Sequence, residues 1–257
     1  MIDLLTIRRQ VVVPGTPAAA FEVFTIEIGL WWPLADHSVY GEGGSVGFQD
    51  GRLVERGPDG GEAVWGTVLS WVPEQHVRLT GHPGSDPAKA SEVEVRFDAI
   101  SDGQTLVTLE HRGWERFADP AAARAEYDHG WPQVLRAYAG SAKEDQPTDE
   151  GPIWLALMHT GGPALPAGEP VFSQPDFGEH VAFLRRMRER GVLVAAGSLD
   201  RRVTGMAVLR VPDPADAAEY VQLAQEDDLS VVRGLLQVRV QPWHVALEGW
   251  APSPKEC

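Results

Sequence analysis

The run Asp176-Phe177-Gly178-Glu179-His180-Val181-Ala182-Phe183-Leu184-Arg185-Arg186-Met187 places one titratable ring on the apolar side of a helix. His180, Phe183, Leu184 and Met187 fall at i, i+3, i+4 and i+7, a single face of a 3.6-residue repeat. A buried imidazole requires a hydrogen-bond partner, and a partner that fixes its tautomer leaves the other ring nitrogen free to move a proton. General acid or base chemistry is the functional reading. A histidine that only locks its helix in place is the structural one. No serine or cysteine nucleophile motif accompanies it, so covalent catalysis is not indicated.

Other chemistries find less support. The chain has eight histidines, but none form a His-x-x-x-His or His-Glu-x-x-His pair on an expected helix, and no metal site is expected. Gly41-Glu42-Gly43-Gly44 and Pro58-Asp59-Gly60-Gly61 are acidic turns without a lysine or a following helix. They are not phosphate loops, and no nucleotide or other cofactor is expected. The formal net charge is -15 with a pI near 4.9, and no Lys/Arg cluster interrupts it. Nucleic acid and anionic membranes are therefore poor partners. The one cysteine, Cys257, rules out an internal disulfide and fits a reducing cytoplasm. Met1-Ile2-Asp3-Leu4-Leu5-Thr6-Ile7-Arg8-Arg9 lacks the pattern of a secretion signal, and the apolar runs are far shorter than the ~20 residues that cross a bilayer. The expectation is a soluble cytoplasmic protein.

The elements that must position these residues fall in two groups. Between Gly140 and Gly151 the chain is polar throughout, with nothing to bury, which sets domains at residues 1–140 and 152–257 with a linker over 141–151. Such a linker is long enough to allow the domains independent motion. In the first, Leu4 to Val13 reads as a strand, and Thr16-Pro17 opens a helix through Phe21 and Phe24. From Gly44 to Arg112 short alternating segments are separated by Asp50-Gly51, Pro58-Asp59-Gly60-Gly61, Pro73-Glu74 and Asp102-Gly103, an antiparallel meander. Asp119-Pro120 starts a long helix through Tyr127, Trp131, Leu135 and Tyr138, whose aromatic face requires an apolar receiver. The sheet is that receiver, in a helix-grip arrangement enclosing a cavity. In the second group Ile153–His159 is a strand, Asp176 and Glu179 form a capping box, Gly191 ends the helix, and further elements complete the order βαββαβ of a ferredoxin-like plait. The fold class is α+β.

Residues Leu4 to Ala139 resemble the START-like, Bet v 1-like superfamily, in particular the SRPBCC proteins grouped with Hsp90 ATPase activator homologues. Trp31-Trp32-Pro33-Leu34, Gly66-Thr67-Val68-Leu69 with Trp71-Val72-Pro73, His111-Arg112-Gly113-Trp114 and Gly130-Trp131 carry that resemblance. Residues 151 to 248 resemble the YCII-related family through His180 in Glu-His-Val-Ala-Phe-Leu, Gly191-Val192-Leu193-Val194-Ala195-Ala196-Gly197-Ser198-Leu199, Asp228 with Gly234, and Val238-Arg239-Val240-Gln241-Pro242-Trp243. The resemblance implies a pocket pair of His180 and Asp228. It also implies dimers, here a homodimer through the C-terminal domain. Leu229 stands where a proline commonly follows that aspartate, and Asp227 competes for the role.

The pair suits proton abstraction beside a carbonyl, isomerisation or elimination. His159 and Ser198 lie at strand ends where they can line the same pocket. Trp32, Trp65, Trp114, Tyr127 and Trp131 suit either a packed core or the wall of a cavity for a small apolar or aromatic ligand. Arg112 and Glu110 are expected on a strand facing the long helix, where Arg112 could anchor a ligand carboxylate or carbonyl; a salt bridge at the sheet is the alternative. Together these residues read as a small-molecule-binding protein, if an enzyme a cofactor-independent isomerase, lyase or cyclase using His180 and Asp228. The alternative is a non-catalytic ligand-binding or co-chaperone-like module.

Overall fold

The computed structural model describes residues 6–101, 103–142, 151–200 and 202–245. Leu4, Leu5, Asp102, most of the linker and Cys257 lie outside them.

The chain begins with β1 (Ile7–Pro14), and Thr16 then caps α1 (Pro17–Thr25), its hydroxyl accepting from the Ala19 N–H at 3.3 Å. A short α2 (Ile28–Trp31) leads into β2 (Ser45–Gln49), β3 (Arg52–Arg56), β4 (Glu62–Val72), β5 (His76–Gly81), β6 (Ser91–Ser101) and β7 (Gln104–Arg112). They form one antiparallel sheet in the order β1-β7-β6-β5-β4-β3-β2. The β2–β3 hairpin turns at Asp50 and Gly51, with φ of 49° and 71°, the left-handed pair that a tight primed turn needs. Register shifts in the β3–β4, β4–β5 and β6–β7 pairings curl the sheet. Gly66 permits that curl, because a Cβ there would sit 1.8 Å from the Thr80 carbonyl oxygen.

The long helix α3 (Pro120–Ser141) starts at Asp119, whose carboxylate accepts from the Ala122 N–H at 3.0 Å. It buries Trp131, Val134, Leu135 and Tyr138 against the inner face of the sheet. Phe21, Phe24, Trp31, Trp65 and Phe97 join them, and Phe24 meets Tyr138 edge-on at 5.1 Å. A curled sheet gripping a long helix is therefore observed.

The second group comprises β8 (Ile153–Gly161), α4 (Phe177–Glu189), β9 (Leu193–Ser198), β10 (Gly205–Val211), α5 (Ala217–Glu226), α6 (Leu229–Val232) and β11 (Leu236–Pro242). Its antiparallel sheet has the order β11-β8-β10-β9. Alternate residues of β8, Ile153, Leu155 and Leu157, pack with Phe183 and Met187 of α4 and Tyr220 and Val221 of α5. Gly191, at φ 77°, ends the α4 turn. The expected capping box at Asp176 does not form. Asp176 has helical dihedrals, and its carboxylate takes Arg233 Nη1 at 2.7 Å instead.

The two sheets meet, so the linker does not leave the halves independent. Val12, Ile100 and Leu106, on the outer face of the first sheet, belong to the same apolar cluster as Leu155 and Val221. Two glutamines close the facing edges. The Gln225 amide accepts from the Gln10 N–H at 2.9 Å and donates to the Gln10 carbonyl at 3.0 Å. The Gln10 side chain in turn brackets Val240, donating to its carbonyl and accepting its N–H, both at 2.7 Å. Each amide stands in for a neighbouring strand on an edge that would otherwise expose unpaired backbone. Beside this junction lies a cleft of about 700 Å³ bordered by Arg9, Arg124, Arg136, Val221 and Val238.

Candidate functional site

His180 enters from the second turn of α4, its neighbours Phe183 and Met187 anchoring the helix in the core. Asp228 caps α6: its Oδ1 accepts from the Ser230 N–H at 3.0 Å and the Ser230 hydroxyl at 2.7 Å. That cap points the other carboxylate oxygen at the histidine, and His180 Nδ1 lies 2.7 Å from Asp228 Oδ2. The carboxylate is fully buried and the imidazole 8% exposed. An ionised carboxylate can only accept, so Nδ1 carries the hydrogen and Nε2 is left for other work. Burial alone would raise the Asp228 pKa. The hydrogen bond and charge of His180, the Ser230 bond and the nearby His159 outweigh it and hold the carboxyl below its ordinary value.

Asp227 does not compete. It accepts from Arg186 Nε at 3.1 Å and Nη2 at 2.8 Å, half-exposed on the far side of the helix junction. The structure also brings His159 to the pair. It stands near the end of β8, opposite Gly205 on one side and Val238 on the other. Its ring centroid is 4.5 Å from that of His180, and its Nε2 is buried without a hydrogen-bond partner. Burial first, and then the adjacent His180, push its pKa down, so the ring stays neutral. The two histidines border a cavity of about 130 Å³ also lined by Phe172, Phe177, Ser198 and Met206, with Asp228 behind His180. Phe177 packs 5.7 Å from His180 and 5.0 Å from Phe172, which gives one wall an aromatic surface.

The first group's expected ligand residues are arranged differently. Trp32 lies 5.1 Å from Trp65 and 6.3 Å from Trp131 by ring centroid, and these rings fill the space between sheet and helix. Trp114 and Tyr127 pack on His111 at 4.2 and 4.7 Å. Arg112 and Glu110 do not face the long helix. Alternation along β7 turns His111 and Leu109 inward and sends Glu110 and Arg112 to the outer face. There Arg112 pairs with Glu92 and Glu94, and Glu110 accepts from Arg8 Nε at 2.9 Å. This is the salt bridge at the sheet that the sequence offers as the alternative for Arg112.

Two inward polar residues were missed. His111, 1% exposed, accepts from Trp131 Nε1 at 3.1 Å and lies 2.7 Å from the Ser91 hydroxyl. Glu55 is fully buried and accepts from the Val39 and Tyr40 N–H groups and from Trp65 Nε1 at 2.7, 2.9 and 2.8 Å. A signal for Glu55 existed, since a period of two puts it on the face of Leu53.

Residues 15–139 match the family model described as Activator of Hsp90 ATPase homolog 1-like protein. This segment is an AHSA1-like domain. The AHSA1-like domain thus contributes the helix grip and its ring-filled interior, whereas the His180–Asp228 pair lies outside the matched residues. Among solved structures, the chain is similar to the anthrahydroquino-Gama-pyrone synthase Txn09 complexed with SUM, at 33% identity over 52% of this chain and 95% of that one, with a TM-score of 0.40. It is similar to the self-sacrificing resistance protein CalC from Micromonospora echinospora, at 23% identity, 54% and 94% coverage and a TM-score of 0.42. It is also similar to the Aha1 dimer from Colwellia psychrerythraea, at 18% identity, 53% and 95% coverage and a TM-score of 0.40. No curated protein matches the chain. Among the described residues, no helix is long and apolar enough to cross a membrane.

Proposed function

We propose that the chain is a two-domain small-molecule-binding protein, dividing at residues 141–151, whose chemistry is proton transfer at His180 in the second domain. The observation that carries this is the 2.7 Å contact between two buried groups, His180 Nδ1 and Asp228 Oδ2, at the edge of a ring-lined cavity. The strand order β11-β8-β10-β9 with helices on one face supports a ferredoxin-like, YCII-related domain. The match of residues 15–139 to the AHSA1-like family supports the helix-grip assignment of the first domain.

In this reading Asp228 fixes the Nδ1–H tautomer and stabilises the imidazolium that forms when Nε2 takes a proton from carbon beside a substrate carbonyl. The electron pair passes to the carbonyl oxygen as an enolate, and imidazolium returns the proton to another atom, completing an isomerisation without a cofactor. The cavity, at about 130 Å³, holds roughly four waters' volume. It therefore suits a small carbonyl compound or the reactive end of a larger aromatic one, with His159 and Ser198 against its polar part. Trp32, Trp65, Trp114, Tyr127 and Trp131 are assigned to the core of the first domain. The open face of the second sheet, with Trp154 and Trp243 in contact at 5.9 Å, is the surface for a homodimer. Light scattering at micromolar concentration that returned a monomer mass would end that part.

The test is deuterium uptake at the central carbon of acetylacetone, followed by proton NMR in D2O. Wild-type protein should exceed the buffer rate at least tenfold, and His180→Gln should lose that excess. A rate equal in the two proteins would exclude His180 as the base. The specific observation behind a second reading is the family name: a co-chaperone-like module in which the pair only joins α4 to α6 predicts no exchange and direct association with an Hsp90 ATPase.

A further inference from the structure

We propose that His159, His180 and Asp228 form a binding site for a divalent transition-metal ion, with Zn²⁺ the ion their donors fit. Each of the three offers a ligand atom within 4.8 Å of the other two, and their exposures are 3, 8 and 0%. Nothing in the sequence spacing brings them together. His159 comes from β8, His180 from α4 and Asp228 from the start of α6, and only the packing of the two helices on the sheet makes the cluster.

The decisive group is His159 Nε2, a buried ring nitrogen with no hydrogen-bond partner. A buried polar atom in that condition calls for a partner, and beside this cavity an ion can supply it. Two imidazoles and one carboxylate are a nitrogen-and-oxygen set suited to borderline ions rather than to Ca²⁺ or Mg²⁺. The Ser230 N–H and hydroxyl hold Asp228 Oδ1, so the carboxylate already has the outer support that orients a ligand.

The donors, which lie within 4.8 Å of one another, must draw together around the ion while their closest pair opens. With Zn–N and Zn–O bonds of about 2.0–2.1 Å, tetrahedral ligands stand about 3.3 Å apart. His180 Nδ1 and Asp228 Oδ2, now 2.7 Å apart, would open by about half an ångström. The hydrogen between them leaves as the ion takes its place, so one proton is released per ion bound. Three protein ligands leave a fourth position of a tetrahedral ion open to a water or a small anion. Occupancy holds His180 as a ligand, so the proton-transfer reading applies to the ion-free pocket.

The experiment is titration of the full chain, stripped with EDTA and dialysed, with ZnCl2 and with CoCl2. One ion per chain is expected, with visible absorption of bound Co²⁺ that Zn²⁺ abolishes. His159→Gln should weaken binding about 100-fold or more, whereas Asp227→Asn, which alters the neighbouring carboxylate outside the cluster, should leave it unchanged. A measurement on the unaltered protein guards against a misfolded variant: in long-range ¹H–¹⁵N NMR spectra, Zn²⁺ should shift the ring nitrogens of His159 and His180 and leave the other six of the eight histidines in place. Absence of stoichiometric binding, equal affinity in His159→Gln, or shifts confined to other histidines would overturn the proposal. No substrate is needed, so this result and the acetylacetone result fail or succeed separately.

Discussion

Acidification should destabilise the AHSA1-like domain through one imidazole, His111. Its Nδ1 accepts from Trp131 Nε1, which can only donate. The Ser91 hydroxyl gives its hydrogen to the Gly81 carbonyl at 2.9 Å, so it must accept from His111 Nε2–H. Both ring nitrogens are thus committed to the neutral form, and a second proton would have to face the hydrogen of Trp131. Burial pushes the pKa down to about 3. In the unfolded chain it is about 6.5. The unfolded state therefore takes up a proton as pH drops below about 6.5 while the folded state does not, so this group's contribution is complete above that pH and is lost as pH falls toward 3. At about 1.4 kcal/mol per pH unit, the step from pH 6.5 to 4.5 removes roughly 2–3 kcal/mol. His111→Gln keeps one donor and one acceptor but does not titrate. Urea unfolding followed by tryptophan fluorescence at pH 6.5, 5.5 and 4.5 should show wild type losing roughly 2–3 kcal/mol more than His111→Gln over that range. His159 pulls in the same direction, but it is present in both proteins and cancels. Parallel loss of stability in the two would refute the neutral buried assignment.

Two further changes probe the rest of the framework. Asp228→Ala removes both the α6 cap and the partner of a buried imidazole and should cost about 2–4 kcal/mol in urea unfolding, whereas Arg186→Ala, which breaks the exposed pair to Asp227 next to it, should cost under about 1 kcal/mol. Gln225→Ala leaves the Gln10 N–H and carbonyl without their covering amide; it should cost about 1–3 kcal/mol and markedly speed hydrogen exchange at the Gln10 amide while leaving β6 amides protected.

Local chemistry made much of this legible. Thr16-Pro17 and Asp119-Pro120 start helices because a proline at the first position and an oxygen at the cap satisfy ends that the backbone cannot, and both helices begin there. Asp50-Gly51 is a hairpin turn for a reason of dihedral angles alone. The strand β7 requires its phase as well. Both of its faces are buried, so burial does not tell them apart, but the period of two does: Gln104, Thr108, Glu110 and Arg112 share one face and Val107, Leu109 and His111 the other, and expecting Arg112 to face α3 overlooks that phase. Asp176 failed as a cap because Arg233, distant in sequence, competed for its carboxylate. A place at a strand end suggests pocket lining for His159, but its approach to His180 depends on how a helix lies on a sheet, which no spacing encodes. Gln10 and Gln225 look like surface residues until two sheet edges meet.

The division of labour between the halves follows from what fills each interior. In the AHSA1-like domain Trp31, Trp32, Trp65 and Trp131 pack within about 5–6 Å of a neighbouring ring, and their polar atoms are spent on Val23, His37, Glu55 and His111. Interiors packed to crystal density admit a guest only by moving such side chains, and here each ring is tied by a hydrogen bond that the movement would break. His82 Nδ1 and Trp114 Nε1 of that domain are buried without a partner too, but neither residue borders the cavity at His159. In the second group the core is largely aliphatic, with Leu155, Leu157 and Leu209 packed around Phe183, and next to that core a titratable cluster retains a nitrogen without a partner beside open space. Unspent hydrogen-bonding capacity at a cavity is what binding a polar molecule or an ion requires, and among the described residues His159 and His180 possess it together with a carboxylate to orient it.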